Sequence, residues 1–315
     1  MAGFVILLSK YNKQIMDISI IIVNYNVSAE IDRCLGSIFQ VLRNISFEVI
    51  VIDNNSPQRD IECLKNKYEK VNFVFLKENI GFGRANNKGV ELSTGRYILF
   101  LNPDTILLQD FVSPIISFSE TNSQVGACGP LLVYEDFRFQ YSFGGRMGLL
   151  YETAEAFMFI SAYRKIFRFL KKKDILSGKV IKVGWLSGAC IIIRSDIVKE
   201  VKGFDPEYFL NYEDIDLCRK VEEAGYLNYY FPACKCIHLD HSSQNKNYEK
   251  LVFTRYESRL VYAAKHYGPI TRSFVFCVHA VGIVIRILTT SIFYKGSEKN
   301  QRQNGYIKAL KLYFS

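Results

Sequence analysis

The sequence predicts an α/β fold: a doubly wound, mostly parallel sheet flanked by helices and followed by a helical C-terminal extension. Three observations predict it. Apolar runs recur at residues 18–23, 48–52, 73–76 and 97–101, short and almost free of charge, as buried parallel strands are. Segments with helical spacing separate them. Each run leads into a polar cluster, and in an open α/β sheet ligands bind at the carboxyl ends of the strands.

The elements follow in order. Residues 18–23 end in Asn24-Tyr25-Asn26, and helical spacing runs over 28–42. Residues 48–52 end in Asp53-Asn54-Asn55-Ser56-Pro57, and a helix is expected over 59–68. The strand at 73–76 leads to Asn79-Ile80-Gly81-Phe82-Gly83 and a helix to about residue 93. Residues 97–101 lead to Asn102-Pro103-Asp104, where Pro103 lacks an N–H and ends the strand. Residues 110–180 are less regular. Gly144, Gly145 and Gly148 predict a mobile loop, and residues 156–173 a basic amphipathic helix. A strand then leaves the small-residue turn after Trp185, and a helix from Glu213 to about Ala224 is closed by Gly225. A strand at 228–231 leads to Pro232 and on to His238. The expected organisation is an extension at 1–16, a first half at 17–130, a second at 131–245 and a basic helical tail at 246–315.

Composition narrows the partners. With 49% hydrophobic and 23% charged residues the chain is an ordinary folded protein. The net charge of +9 resides in the tail, since residues 244–315 hold 12 Lys/Arg against 3 Asp/Glu and the remainder balances. A second cluster places six positive charges between Arg164 and Lys173. Both clusters are interleaved with Phe, Ile, Leu and Tyr, which favours an anionic membrane surface over nucleic acid. The eight scattered cysteines fit a reduced compartment. Residues 4–8 are too short an apolar run, with no basic region before it, to read as a secretory signal.

Two chemistries can be set aside. A dinucleotide fold needs a glycine-rich turn after its first strand, and Asn24-Tyr25-Asn26-Val27-Ser28 has none. Cys234-x-Cys236-x-His238-x-x-His241 aligns possible zinc ligands, but the one-residue cysteine spacing and the lack of a second pair are poor for structural zinc. Asn102-Pro103-Asp104 admits two readings. It is a strand-ending turn of three turn-forming residues, or it delivers a carboxylate to the sheet's rim, where a metal-bound phosphate can meet it.

An ordered set of motifs bears on that choice: Ile-Ile-Val-Asn-Tyr-Asn (21–26), Val-Ile-Asp-Asn-Asn-Ser (51–56), Asn-Ile-Gly-Phe-Gly-Arg-Ala-Asn-Asn (79–87), Leu-Asn-Pro-Asp-Thr (101–105), Trp-Leu-Ser-Gly-Ala-Cys (185–190), Gly-Phe-Asp (203–205) and Tyr-Glu-Asp-Ile-Asp-Leu-Cys (212–218). Over residues 17–245 the chain resembles the family 2 inverting glycosyltransferases of GT-A fold, and most of all their rhamnosyltransferase branch. The resemblance implies a nucleotide-sugar donor and Mg²⁺ or Mn²⁺ held by Asp104 and His238. It implies that Asp53 reads the nucleotide base and that Asn24, Asn26, Asn79, Gly81, Gly83, Asn86, Asn102, Trp185 and Gly188 contact substrate, the two glycines by letting backbone approach the donor. Asp214 would be the base that deprotonates the acceptor, with Glu213 in support and Asp216 the next choice. Each has a plainer reading: acids in a first helical turn favour the helix dipole, and His238 can be a buried strand-end residue. The chain departs from the family at Asn102, where an acid is usual, and at Gly184, where the family often has an acid, so the resemblance implies no acceptor contact at that position.

In the tail, Phe274, Cys277, Val278, Val281, Ile285, Leu288 and Ile292 share one helical face, with Arg272, His279 and Arg286 on another. A bilayer span would bury Arg286, so the pattern favours a helix lying on the membrane. The expectation is therefore an enzyme peripheral to the cytoplasmic face of the inner membrane. It would move L-rhamnose from dTDP-rhamnose to a lipid-linked or polysaccharide acceptor, without a nucleic-acid partner. The alternative is a binding module for membrane or nucleic acid that kept the fold and lost catalysis. Asn102 favours it; Asp104, Asp214 and His238 oppose it.

Overall fold

The computed structural model describes residues 16–57, 61–240 and 247–314. Strands β1 (Ile18–Asn24), β2 (Phe47–Asp53), β3 (Val71–Phe75) and β4 (Tyr97–Leu101) alternate with helices α1 (Ser28–Val41), α2 (Glu62–Lys67) and α3 (Phe82–Leu92). Next come β5 (Thr105–Leu107), α4 (Val112–Glu120), β6 (Val125–Val133), β7 (Phe143–Gly144), α5 (Leu149–Ala156), α6 (Ile160–Leu170) and α7 (Lys172–Leu176). Then follow β8 (Ile181–Val183), β9 (Trp185–Leu186), β10 (Cys190–Arg194), α8 (Ser195–Glu200), α9 (Glu213–Glu223) and β11 (Leu227–His238). The chain closes with α10 (Tyr248–His266), α11 (Pro269–Phe293) and α12 (Gly296–Tyr313).

The main sheet runs β3-β2-β1-β4-β10-β6-β11-β5, with β8 also on β11, while β7 and β9 form a separate pair. β1 to β4 are parallel; β10 enters antiparallel between β4 and β6, and β6 and β11 are parallel to each other. Both faces of the sheet are covered, and the alternation of strand side chains shows it. On β4, Leu99 and Leu101 join one apolar cluster and Ile98 and Phe100 the other; on β1, Ile20 and Ile22 lie opposite Ile21. All of these are essentially inaccessible, so each contributes about 1.5–3 kcal/mol by burial. Parallel pairing aligns the strand ends: Asn24 is in register with Asp53, and β4 runs out beside them into Asn102 and Asp104.

Several expectations need correction. The loop expected at the glycines near 144 contains β7, because a Cβ on Gly144 would overlap the Trp185 indole stacked upon it. The single helix expected at 156–173 is two helices, α6 and α7. The strand expected at 228–231 continues to His238, passing Pro232 where the register with β6 shifts between Phe231 and Lys235. Residues 59 and 60 of the second expected helix, and His241, lie outside the described residues.

The expected boundary near residue 245 does not release an independent tail. Ser258 of α10 donates to the Leu210 carbonyl at 3.0 Å, Lys265 pairs with Asp205 at 2.5 Å and His266 with Asp216 at 2.7 Å. The polar face of α11 also turns inward. His279 is fully buried against Glu152 at 2.9 Å, and the Arg286 guanidinium donates to the Ala156 carbonyl at 2.6 Å. The apolar stripe faces outward, with Val281, Leu288 and Ile292 at least half exposed.

Candidate active site

The site is built at the carboxyl ends of β1, β2 and β4. The Asn24 amide donates to Asp53 Oδ1 at 2.6 Å and to Ser56 Oγ at 3.0 Å. The Ser56 hydroxyl donates to the same Asp53 oxygen at 2.6 Å and its N–H to Asp53 Oδ2 at 3.1 Å, while the Asn26 N–H reaches Ser56 Oγ. Asp53 is thus locked against β1, with Oδ2 the less engaged oxygen. Asn54, in the Asp-Asn-Asn-Ser motif but not a predicted site residue, ties the next strand end. Its amide reaches Asn79 Oδ1 and its oxygen accepts the Ile80 N–H.

The two glycines also meet a packing demand. Gly81 has φ +86, and a Cβ there would meet the Phe209 carbonyl at 3.0 Å; one on Gly83 would meet Phe204 Cβ at 3.0 Å. They let α3 close against the 204–209 segment, a packing demand independent of any donor. Asn86 is likewise buried, and its amide donates to the Phe82 carbonyl one turn back, so it is placed as a helix-packing residue rather than on an open surface.

Asp104 and His238 come together across the β5–β11 pairing. Asp104 Oδ1 lies 3.2 Å from His238 Nε2, and the Asn102 amide lies 3.3 Å from the same nitrogen. On the far side of the ring Nδ1 lies 3.0 Å from Gln140 Oε1. Gln140 can only accept there, so Nδ1 carries the proton and Nε2 turns a lone pair toward the carboxylate. The Asn102 side-chain N–H can donate to that lone pair, and Asp104 beside it adds an acceptor oxygen that a cation could share with the ring nitrogen. Among the described residues no cluster of three or more His, Cys, Asp or Glu side chains is placed to bind a metal. Two protein ligands nevertheless fit Mg²⁺ or Mn²⁺, which commonly draw remaining ligands from substrate phosphates and water. Gln140 has the place of an outer partner that orients a ligating histidine. Sequence reasoning missed it because the alternation at 139–143 is one short strand pattern inside the irregular stretch 110–180 and does not say what Gln140 meets.

The second centre sits at the N-terminus of α9. Gly188 N–H donates to Asp214 Oδ2 at 2.7 Å and Ile215 N–H to Oδ1 at 2.8 Å. A Cβ on Gly188 would meet Asp214 Cβ at 3.1 Å, so the close approach needs a glycine. Burial raises the Asp214 carboxyl, and the two backbone N–H groups oppose that rise. Asp214 keeps some exposure, whereas Glu213 is buried with Oε2 unpartnered. Burial, with the adjacent Asp214 charge, pushes Glu213 up to about 8, so at neutral pH it is predominantly a neutral acid. Asp216 is fully buried and accepts from Tyr208 at 3.1 Å, with His266 at 2.7 Å, which removes it as the second choice for a base.

The two centres are two hydrogen bonds apart. Asn102 N–H donates to the Ala189 carbonyl at 2.9 Å, and Gly188, the preceding residue, holds Asp214. Trp185 starts the same turn. Its ring is largely buried on β7, edge-on to Tyr141 at 5.8 Å, and its indole N–H is buried without a partner.

The loop before α9 is strained. Asn211 and Tyr212 both have positive φ, +70 and +69, which is unusual for a bulky aromatic residue. Arg259 of α10 holds Tyr212 there, Nε donating to its hydroxyl at 2.7 Å. Arg259 is itself buried among Glu152, Glu155 and His279. Burial alone would raise Glu155; the charges of Arg259, then Arg286 and His279, outweigh it and hold the carboxyl down at about 2.

Comparison with known proteins agrees with this geometry. The sequence profile of Glycosyl transferase family 2 matches residues 19–201. The N-acetylglucosaminyl-diphospho-decaprenol L-rhamnosyltransferase of Mycobacterium tuberculosis is 24% identical over 269 residues, covering 79% of this chain and 85% of that protein. Rhamnosyltransferase WbbL of Escherichia coli K12 is 32% identical over 195 residues, 59% of this chain and 70% of that one. Among solved structures, GalNAc-T7 with UDP, GalNAc and Mn²⁺ superposes with a TM-score of 0.58 at 13% identity, covering 90% of this chain and 59% of that one. S. aureus TarS 1–349 superposes with 0.54 at 15% identity, covering 94% and 81%. These likenesses identify the sheet and its helices as a GT-A fold.

Proposed function

The chain belongs to the family 2 glycosyltransferases, and on that premise we propose that it moves a sugar, with inversion at the anomeric carbon, from a nucleotide-sugar to a lipid-linked or polysaccharide acceptor hydroxyl. The observation that carries this reading is the pair of hydrogen bonds through Ala189 and Gly188, which joins the Asp104–His238 pair to Asp214. A divalent ion bound by Asp104 and His238 would neutralise charge developing on the diphosphate leaving group. The residues do the rest. Asp53 would accept from the ring N–H of the nucleotide base with Oδ2, while Asn24 and Ser56 fix its orientation. Gly188 and Ile215 hold Asp214 in one rotamer with lone pairs left to take the acceptor proton. Glu213 beside it stays protonated and adds no second negative charge.

The names of the relatives support L-rhamnose, from dTDP-rhamnose, as the sugar, and a diphospho-prenol as the acceptor's carrier. The outward apolar stripe of α11 supports a peripheral place on the membrane. This 25-residue helix is long and apolar enough to span a bilayer, but His279 and Arg286 of its polar face are bonded to α5. The alternative, a binding module without catalysis, rests on Asn102 alone. Titration of nucleotide-sugars with and without Mn²⁺ separates the two. The transferase reading expects metal-dependent binding, strongest for dTDP-rhamnose, that Asp104→Ala abolishes in a folded protein. Metal-independent binding, or none across the panel, would overturn it.

A further inference from the structure

The basic segment 164–176 has no role in the transfer just described, yet it borders the site. Residues 139–143 run as an extended edge with alternating faces. Gln140, on one face, meets His238, and Ser142 is buried beside it in sequence. Phe139, Tyr141 and Phe143 turn to the other face, where Arg168 lies 5.0 Å over the Phe139 ring, Arg164 4.8 Å over Tyr141, and Phe167 6.1 Å from Phe143. The helical layer is thus one strand's thickness from the residues that would hold the donor's diphosphate. Between Phe139 and α6–α7 lies an open groove of about 470 Å³, lined by Phe139, Lys165, Arg168, Phe169, Lys172 and Leu176. Helical spacing puts these cations and apolar groups on one face.

We propose that this groove seats a prenyl diphosphate, the carrier portion of a lipid-linked acceptor; the proposal rests on the transferase reading above. Charge complementarity selects the occupant. Among the described residues Lys165 and Arg168 of α6 and Lys172 at the start of α7 form no ion pair, so three positive charges face one groove with no carboxylate to compensate them, Arg168 resting on the Phe139 ring. A diphosphate supplies that compensation, with acceptor oxygens for guanidinium and ammonium donors together. Phe169 and Leu176, 72% and 75% exposed, stand beside the cations as a track for an apolar chain. An isolated phosphate would leave that track unused, and a plain hydrocarbon the charges. Tyr141, on the groove's side of the strand, meets the Trp185 ring at 5.8 Å and so links this face to the turn that holds Asp214.

The test is calorimetric titration of farnesyl diphosphate into the full chain, with EDTA present so that the diphosphate is not captured through a metal at Asp104 and His238. Farnesol and inorganic pyrophosphate are the controls. Binding is expected for farnesyl diphosphate, at least about tenfold tighter than for either control. The Lys165→Gln/Arg168→Gln variant is expected to weaken it at least about tenfold with unchanged melting temperature and unchanged Mn²⁺-dependent nucleotide binding. Undiminished farnesyl diphosphate binding in that variant, or none by the unaltered chain, overturns the proposal. So does a variant that loses only its sedimentation with phosphatidylglycerol vesicles, which would make the groove a general membrane contact. If the unaltered chain binds no nucleotide but the groove result holds, the transferase reading fails and the prenyl diphosphate site stands. The reverse result fails the groove alone.

Discussion

Strands β1 to β4 and the layer of α5, α6, α10 and α11 distribute polarity in opposite ways. In the strands, Ile20, Ile22, Leu99 and Phe100 are buried, and polar side chains gather at the tips, where the site lies. In the helical layer Arg259, His279 and Glu152 are buried, while Leu150, Phe159, Leu170, Leu288 and Ile292 are at least 65% exposed. The first region is arranged for water around it. The second places its apolar surface where a soluble protein places charge, the arrangement an interfacial helix adopts on lipid. Beside the His266–Asp216 contact, its buried ions meet the catalytic half at the hydrogen bond from Arg259 to Tyr212, directly before Glu213 and Asp214.

The largest effect should come from breaking that point. Arg259→Met leaves Glu152 and Glu155 buried without their main partner, which costs about 3–5 kcal/mol on the scale of a buried pair losing one member. Denaturant unfolding measures it. A loss below about 1 kcal/mol would show that the ion cluster is not what joins the halves. The same cluster makes deletion of α11 a poor test of membrane binding, since it strips His279 and Arg286 from the two glutamates.

A smaller effect concerns pH. Glu213 is raised in the folded protein to about 8 from an ordinary value near 4.5. Between those values the folded chain binds the extra proton, so this group's contribution to stability is full below the lower value and is lost as pH rises through the upper one. Glu213→Gln should flatten the decline in melting temperature between pH 6 and 9. An identical slope in both proteins would remove Glu213 as its source.

The smallest effect on folding should accompany a clear effect on lipid. Leu288→Glu with Ile292→Glu alters side chains 65% and 74% exposed, so stability should move by no more than about 0.5 kcal/mol per site. Co-sedimentation with anionic vesicles should fall. For the unaltered chain it should weaken with salt without vanishing, because screening acts over about 8–10 Å on charges and not on apolar contact. Unchanged sedimentation of the variant would return α11 to the role of a core helix.

The strands were legible from sequence because burial on both faces leaves an uninterrupted apolar run, and their tips because turn-forming polar residues follow at once. The pairing of Asp104 with His238 was legible only through the resemblance, since the two lie far apart in the chain, at the ends of different strands. Gln140 was not legible: the alternation from Phe139 to Phe143 marks two faces, but its partner His238 is distant in sequence. The glycines at 81 and 83 were visible, but their reason was not, because the close neighbours, Phe209 and Phe204, lie over a hundred residues away. The stripe on α11 was legible as a pattern. Which face turns inward was not, because the buried partners of His279 and Arg286 come from α5 and α10.

The central claim is that Asp214, held by Gly188 and Ile215, takes the acceptor's proton while the donor is bound elsewhere in the site. The most direct measurement compares donor dissociation constant and single-turnover transfer for Asp214→Asn. Donor binding should stay within about twofold and transfer should fall by at least about 10²-fold, the scale of a lost general base. Transfer at near the unaltered rate in a folded Asp214→Asn protein, or the same selective loss in Asp216→Asn instead, would contradict the account.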